Sequence, residues 1–153
     1  MEPRAPAPQR RLQTIRTLAD AGIPVSVLVA PLIPVLTDAE LETILGRARD
    51  AGAADAGYIL LRLPHEIKDL FREWLDTHWP GMADHVFRRM YEAHGGKAYN
   101  ATFGTRMTGT GAYAGMLARR FEVAKQKLGF RAPAALETKY FRPAARTAQM
   151  DLF

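Results

Sequence analysis

Cysteine is absent from all 153 residues of the sequence, and this absence excludes more chemistry than any other feature. Disulfide bonds, thiol nucleophiles and thiolate-bound metals are ruled out for this chain. Long apolar runs are also lacking, since none approaches the ~20 residues that a membrane-spanning helix needs. The first four residues show no charged-then-apolar signal pattern. We therefore expect a cytoplasmic protein with no membrane partner.

Neither acidic nor basic residues are concentrated in any one segment of the chain. The net charge of +5 comes from scattered basic residues, apart from Arg-Arg pairs that begin at residues 10, 88 and 119. Two interpretations stay open: solvated helix faces, or a basic surface that binds nucleic acid. The first is favoured because no basic stripe with interleaved aromatic residues is visible.

The tripeptide Asp-Ala-Gly occurs twice, at residues 20–22 and 50–52, and each copy separates a helical pattern from an apolar strand pattern. This spacing is typical of alternating helices and parallel strands. Strands are predicted at residues 23–29 and 58–63, the first of them buried on both faces because it is nearly all apolar. Two parallel strands cannot close a barrel or shield both faces of a sheet. The chain is therefore expected to be the end of a larger α/β protein.

Helical patterns account for the rest of the chain. Residues 7–21 form an amphipathic helix, and Thr37 and Glu40 form a capping box in front of the next one. After residue 64 no strand is predicted, and three further amphipathic helices are. The inward residues of the first are Ile67, Leu70, Phe71, Trp74 and Leu75. The second has Pro80 in its first turn and carries Met82, Val86, Phe87 and Met90, and the third carries Tyr113, Leu117, Phe121, Ala124 and Leu128 and ends at Gly129.

Three features are weighed as sites of chemistry. The four histidines, at residues 65, 78, 85 and 94, are interpreted as surface or capping residues because none forms a metal-ligand pattern. The glycine-rich loop 104–111 precedes a helix and either binds an anion or simply connects two elements, the second being favoured. Arg62, at the carboxyl end of the second strand, either points to solvent or binds a carboxylate or phosphate.

Several segments, taken in order, carry a resemblance to a known family. They are Glu2-Pro3-Arg4-Ala5-Pro6, Arg11-Leu12, Gly22-Ile23-Pro24-Val25, Ala30-Pro31-Leu32-Ile33-Pro34, residues 57–64 (GYILLRLP), residues 68–75 (KDLFREWL) and residues 103–107 (FGTRM). Together they resemble the radical SAM superfamily, and most nearly its spore photoproduct lyase-like group. The resemblance covers most of residues 2–130.

The resemblance is to the C-terminal part of such enzymes. It implies an α/β fold in which residues 1–64 are the last βα units of a partial (β/α)6 barrel, residues 65–131 a helical extension and residues 132–153 a disordered tail. Family members use S-adenosylmethionine and a [4Fe-4S] cluster held by a Cys-x3-Cys-x2-Cys loop, which this chain lacks. The cluster is not expected in this chain alone, and a separate N-terminal half is implied as a partner.

The resemblance also implies which residues meet S-adenosylmethionine. The segment around Ala30, Leu32 and Ile33 corresponds to the family's Gly-x-Ile-x-Gly motif near the adenine, although Val35 stands where that motif often has its second glycine. Arg4 and Arg11 correspond to basic residues near the methionine carboxylate. Tyr58 and Arg62, on the second strand and at its end, complete the expected cofactor-binding set.

The last five residues, Gln149-Met150-Asp151-Leu152-Phe153, resemble the peptide that binds the bacterial sliding clamp. Leu152 and Phe153 would fill an apolar pocket while Gln149 forms a hydrogen bond at its rim. The alternative is an apolar terminus that arose by chance.

Three functions are compatible with these patterns. The first is a fragment of a radical SAM enzyme that is inactive alone. The second is a non-catalytic module that binds the sliding clamp through its tail. The third is a self-contained α/β binding protein, which would need more strands than the sequence offers, or dimerisation through the exposed edge of its first strand.

Overall fold

The computed structural model describes residues 4–97, 102–131, 137–139 and 141–143. Within these residues the protein is a mixed α/β fold with five α-helices and a two-stranded parallel sheet. The elements are α1 (Pro8–Asp20), β1 (Ser26–Leu32), α2 (Leu41–Asp50), β2 (Asp55–Leu60), α3 (Ile67–His78), α4 (Ala83–Ala93) and α5 (Ala112–Lys127), with a 3₁₀ turn at Asp38–Glu40.

The parallel pair predicted from the repeated tripeptide is confirmed. Ser26 of β1 lies opposite Asp55 of β2, and the register shifts after Val29 so that Leu32 lies opposite Leu60. The predicted bounds of both strands are wrong by about three residues. β1 begins and ends later than predicted and continues through Pro31, whereas β2 begins and ends earlier. Proline is tolerated there because the register shifts between Val29 and Leu32, so that Pro31 lies at an irregularity of the ladder.

One face of the sheet is covered and the other is open. Val29, Ala56 and Leu60 are buried in a core shared with Leu117 and Phe121 of α5. The predicted burial of β1 on both faces is wrong, because Leu28 is 58% exposed and Ala30 is also exposed. Among the described residues no element covers that face, and α1 buries none of its own residues.

A second core lies between α3, α4 and the chain that follows β2. Its buried residues are Ile33, Leu61, Leu63, Phe71, Leu75, Ala83, Val86, Phe87 and Met90. Ile67 and Leu70 do not belong to it, being 47% and 63% exposed, so α3 packs along a narrower stripe than predicted. Pro80 lies before α4 rather than in its first turn, because Gly81 adopts a φ of 80° that no helix can contain.

The predicted capping box at Thr37 and Glu40 is wrong. Thr37 has helical backbone angles (φ −114°, ψ −8°), whereas a capping residue needs extended ones. Its hydroxyl instead accepts a hydrogen bond from the backbone N–H of Ile33 at 2.8 Å. This contact closes the turn that follows β1. Glu40 accordingly ends a 3₁₀ turn and immediately precedes α2.

The C-terminal end of α5 is as predicted, with Gly129 at φ 67° and the N–H of Phe130 bonded to the carbonyl of Lys125. Most of the predicted tail, residues 132–153, lies outside the described residues. Within the described part of the chain, every helix is too short or too polar to cross a membrane.

Candidate ligand site at the carboxyl ends of the strands

The carboxyl ends of the two strands lie side by side. The N–H of Leu61 donates a hydrogen bond to the carbonyl oxygen of Leu32 at 3.0 Å, which extends the ladder beyond β2. The chain after β1 then folds back, with the N–H groups of Leu36 and Thr37 bonded to the carbonyl of Ile33. Segments 30–34 and 61–64 therefore form one edge of the sheet, where parallel α/β folds bind ligands.

Within this edge, the side chains of the first segment point in different directions. Leu32 is fully buried beneath α2 and α5, and Ile33 is buried against α3 and α4. Ala30 is exposed on the open face of the sheet. Leu32 and Ile33 can therefore offer a ligand only their backbone, and the N–H of Ile33 is already bonded to Thr37.

Tyr58 lies on the opposite face of the sheet from Ala30. Its ring packs against Phe121 of α5, with the centroids 4.8 Å apart and the planes tilted by 54°. Burial raises the pKa of the Tyr58 phenol, and the nearby Glu122 raises it further. The hydroxyl is buried and has no hydrogen-bond partner among the described residues. The structure thus places Tyr58 beneath a helix, away from the open face.

Arg62 is half-buried at the end of β2. Its guanidinium Nη1 lies 3.3 Å from the thioether sulfur of Met107. Met107 also accepts a hydrogen bond at its carbonyl oxygen from the N–H of Leu60, at 2.9 Å. The chain around Met107 therefore crosses the end of β2 and holds Arg62 from one side.

Arg11 lies near the N-terminal end of α1 and Arg4 in the chain that leads into it, and both are exposed. The Nε of Arg11 donates to the carbonyl of Pro6 at 3.1 Å. The structure thus brings Ala30, Leu32, Ile33 and Arg62 to one edge of the sheet. Arg4 and Arg11 belong instead to α1 and the chain that leads into it.

His94 is a residue of this edge that the sequence analysis did not single out. It follows α4 as its capping residue, is only 2% exposed, and places Nε2 3.2 Å from the carbonyl oxygen of Leu61. Its Nδ1 is buried without a hydrogen-bond partner among the described residues. The assignment of all four histidines to the surface or to caps therefore holds only in part, because this cap is buried. The sequence does contain a pattern that indicates this burial, since His94 continues the buried spacing of Val86 and Met90 along α4.

A second polar cluster joins α5 to the start of α2. The Tyr113 hydroxyl donates a hydrogen bond to the carboxylate of Asp38, which is 8% exposed. Arg120 donates to the Asp38 carbonyl at 2.9 Å and to both carboxylate oxygens of Glu42, at 2.9 and 2.7 Å. Burial, and then the Asp38 carboxylate, raise the pKa of Tyr113 to about 12. The hydrogen bonds from Arg120 hold the pKa of Glu42 below its ordinary value.

The glycine-rich loop packs against α4. A Cβ atom on Gly109 would lie 2.3 Å from the carbonyl oxygen of Ala93, and one on Gly111 would lie 1.5 Å from that of Glu92. The N–H of Thr110 donates to the Ala93 carbonyl at 2.9 Å. Both glycines are thus explained by close packing of two backbones, as expected of a connecting loop.

Metal-binding groups are lacking in the part of the chain that the structure describes, where no three His, Asp or Glu residues cluster. The three tail residues proposed to bind a sliding clamp, Gln149, Leu152 and Phe153, lie outside the described residues.

Comparison with known proteins gives relatives without a stated activity. No protein-family profile matches the chain, and no solved structure matches it significantly. Curated relatives include an uncharacterized protein of Mycobacterium bovis and two of Mycobacterium tuberculosis, each 33% identical over 93 residues. The match covers 60% of this chain but 27% of each relative. The chain therefore spans about a quarter of the length of the curated relatives it matches.

Proposed function

We propose that this chain is the C-terminal part of a radical SAM enzyme of the spore photoproduct lyase-like group. In this proposal it supplies the last two βα units of a partial barrel and a helical extension, and it acts in the cytoplasm together with an N-terminal half. The isolated chain has no radical chemistry of its own.

The observation that supports this proposal most directly is the meeting of two segments. Residues 30–34 and 61–64 carry part of the resemblance, are separated in sequence by α2 and β2, and are joined by the hydrogen bond from Leu61 to Leu32. Parallel strands place their carboxyl ends at one edge, which is where a cofactor bound across a barrel would lie. The helices α2 and α5 cover only one face, as barrel helices do, and the apolar second face is open.

The residues of this chain do not fit an iron–sulfur cluster, since the sequence offers no thiolate. They fit part of an S-adenosylmethionine site. Arg62 supplies a half-buried positive charge at the strand edge, and the small Ala30 leaves the open face free for an apolar ring. When bound to a complete enzyme of this type, the cofactor and the cluster together supply a 5′-deoxyadenosyl radical.

The first test is the coding sequence directly upstream. We expect a reading frame there that encodes a Cys-x3-Cys-x2-Cys segment. The purified pair, reconstituted anaerobically with iron and sulfide, should show cluster absorbance and reductive cleavage of S-adenosylmethionine. The isolated chain, treated identically, should show neither, and a stoichiometric cluster on it would refute the proposal. So would an upstream frame without the cysteines.

A matched pair of variants tests the site itself. Arg62→Gln removes the charge at the strand edge, whereas Arg72→Gln removes an exposed arginine on α3 that pairs with Asp84. We expect the first to weaken S-adenosylmethionine binding by the pair at least tenfold and the second to leave it unchanged. Equal affinities for the two variants would remove Arg62 from the site.

A further inference from the structure

Met107 joins the loop that precedes α5 to the end of β2 through two contacts. Its carbonyl oxygen accepts a hydrogen bond from the N–H of Leu60 at 2.9 Å, and its sulfur lies 3.3 Å from the guanidinium Nη1 of Arg62. The loop is also closed on itself, because the N–H of Gly109 donates to the carbonyl of Thr105 at 2.8 Å. The backbone and the side chain of one residue therefore connect the loop to two positions at the strand end.

The side-chain contact between Met107 and Arg62 pairs a strong donor with a weak acceptor. A guanidinium is always charged and presents its N–H donors in a fixed planar arrangement, whereas a thioether sulfur is a weak acceptor. An oxygen that accepted from the same N–H would form a charge-assisted hydrogen bond, which is shorter and stronger. A reaction that adds an oxygen to this sulfur therefore strengthens the contact between the loop and the strand end.

Four methionines lie in the part of the chain that the structure describes, and they differ in their access to solvent. Met90 is 1% exposed in the second core, Met116 is 44% exposed on α5, and Met82 and Met107 are half-buried. Among these four, only Met107 has a hydrogen-bond donor against its sulfur. A small soluble oxidant can therefore reach Met107, and there the product of oxidation meets a guanidinium.

We propose that Met107 is a site of reversible oxidation by hydrogen peroxide, and that its sulfoxide oxygen takes over the hydrogen bond from Arg62. In this reaction a lone pair of the sulfur attacks one peroxide oxygen, so that the S–O bond forms and the O–O bond breaks. The departing hydroxide removes the proton from the transferred oxygen and leaves as water. The sulfur is oxidised by two electrons and the peroxide is reduced by two. A methionine sulfoxide reductase reverses the oxidation with electrons from thiols.

The expected consequence is the opposite of ordinary methionine damage. A sulfoxide in an apolar core disrupts packing, because it places a polar group where no partner satisfies it. At Met107 the new oxygen lies beside Arg62, which donates to it, so oxidation holds the loop more firmly on β2. The Leu60 N–H, which is bonded to the Met107 carbonyl, should then open less often. This inference goes beyond the proposed function, since it depends on this contact and on no cofactor or second half.

Peroxide treatment of the full chain tests the site. The chain carries Met116→Leu, which removes the most exposed of the described methionines, and peptide mass spectrometry locates the added oxygen. We expect a sulfoxide at Met107 and none at Met90. The Leu60 amide should exchange its hydrogen about fivefold more slowly in the oxidised chain and return to its original rate after treatment with the reductase. Met107→Leu, treated identically, is the matched control and should show no change at this amide.

Two further variants separate the guanidinium from the sulfoxide. Arg62→Leu removes the donor, so oxidation should no longer slow exchange at Leu60. Met107→Gln supplies a side-chain carbonyl oxygen without peroxide and should slow this exchange in the untreated chain, which keeps the test decisive if Arg62→Leu does not fold. A Met107 that resists the peroxide, or a Leu60 amide that exchanges as fast or faster after oxidation, would overturn the proposal. Equal slowing in Arg62→Leu would also overturn it, since the new oxygen would then bind another group.

Discussion

Replacing Gly111 by alanine should destabilise the protein strongly, whereas the same replacement four residues later should stabilise it. Gly111 precedes α5 with a φ of −84°, an angle that alanine adopts without strain. The obstacle is purely steric, because its Cβ would lie 1.5 Å from the carbonyl oxygen of Glu92. Gly115 lies inside α5, and a Cβ there meets nothing within 4 Å.

The magnitude follows from what must move. Relieving the clash separates the loop from α4 and strains or breaks the hydrogen bonds from Thr110 and Gly111 to the Ala93 carbonyl, at 2.9 and 3.3 Å. Each such bond contributes about 1 kcal/mol, and overpacking costs about 1–3 kcal/mol. We expect Gly111→Ala to lower the free energy of unfolding by about 3 kcal/mol. Gly115→Ala should raise it by about 0.5–1 kcal/mol through helix propensity.

Urea unfolding followed by circular dichroism measures both values, and thermal unfolding should show the Gly111→Ala midpoint lower by about 6–12 °C. Both variants replace a glycine by alanine, so a general effect of alanine cannot change the free energy of unfolding in opposite directions. If Gly111→Ala is as stable as the natural protein, the close packing of this loop on α4 is wrong. A comparable loss in Gly115→Ala would refute the steric argument.

Three further predictions concern other parts of the chain. Stability should fall as the pH rises from about 10 to about 12, because the raised pKa of Tyr113 makes its folded form hold the proton that the unfolded form releases. Tyr113→Phe should reduce this fall in alkaline unfolding curves and leave the part that the raised pKa of Tyr58 contributes. Lys125→Met should lower stability at neutral pH by leaving the half-buried Asp55 carboxylate without its partner at 2.8 Å, and urea titration measures the loss. Peptide 140–153 should bind purified sliding clamp at micromolar strength, and calorimetry without heat at high peptide concentration would contradict this.

The local parts of the fold were predictable because each rests on a few adjacent residues. Gly22 and Gly52 end α1 and α2 with φ angles of 75° and 102°, which glycine alone adopts freely. Gly52 also lets the two helices approach, since a Cβ there would lie 2.6 Å from the Cβ of Ala19. The repeated tripeptide therefore predicted both the helix ends and the parallel strands that follow them.

The polar contacts were not predictable, because they join residues that are distant in sequence. Tyr113 and Asp38 are 75 residues apart, and Arg62 and Met107 are 45 apart. Nothing in the sequence beside either partner indicates the other. Only the packing of α5 against α2, and of the loop against β2, brings the partners together. His94 is intermediate: it was interpreted as a surface or capping residue, although its spacing after Val86 and Met90 is that of a buried position, and nothing in the sequence indicates its contact with Leu61.

The prediction that β1 is buried on both faces is wrong, and the reason for this error is informative. Its apolar sequence predicts a strand covered on both faces, yet Leu28 and Ala30 are exposed. An apolar composition alone does not distinguish a strand covered on both faces from one that leaves a face open. β2, whose outer edge is closed by Lys125 and Met107, shows less exposure than β1. Among the described strands, the mismatch between composition and burial is thus confined to β1.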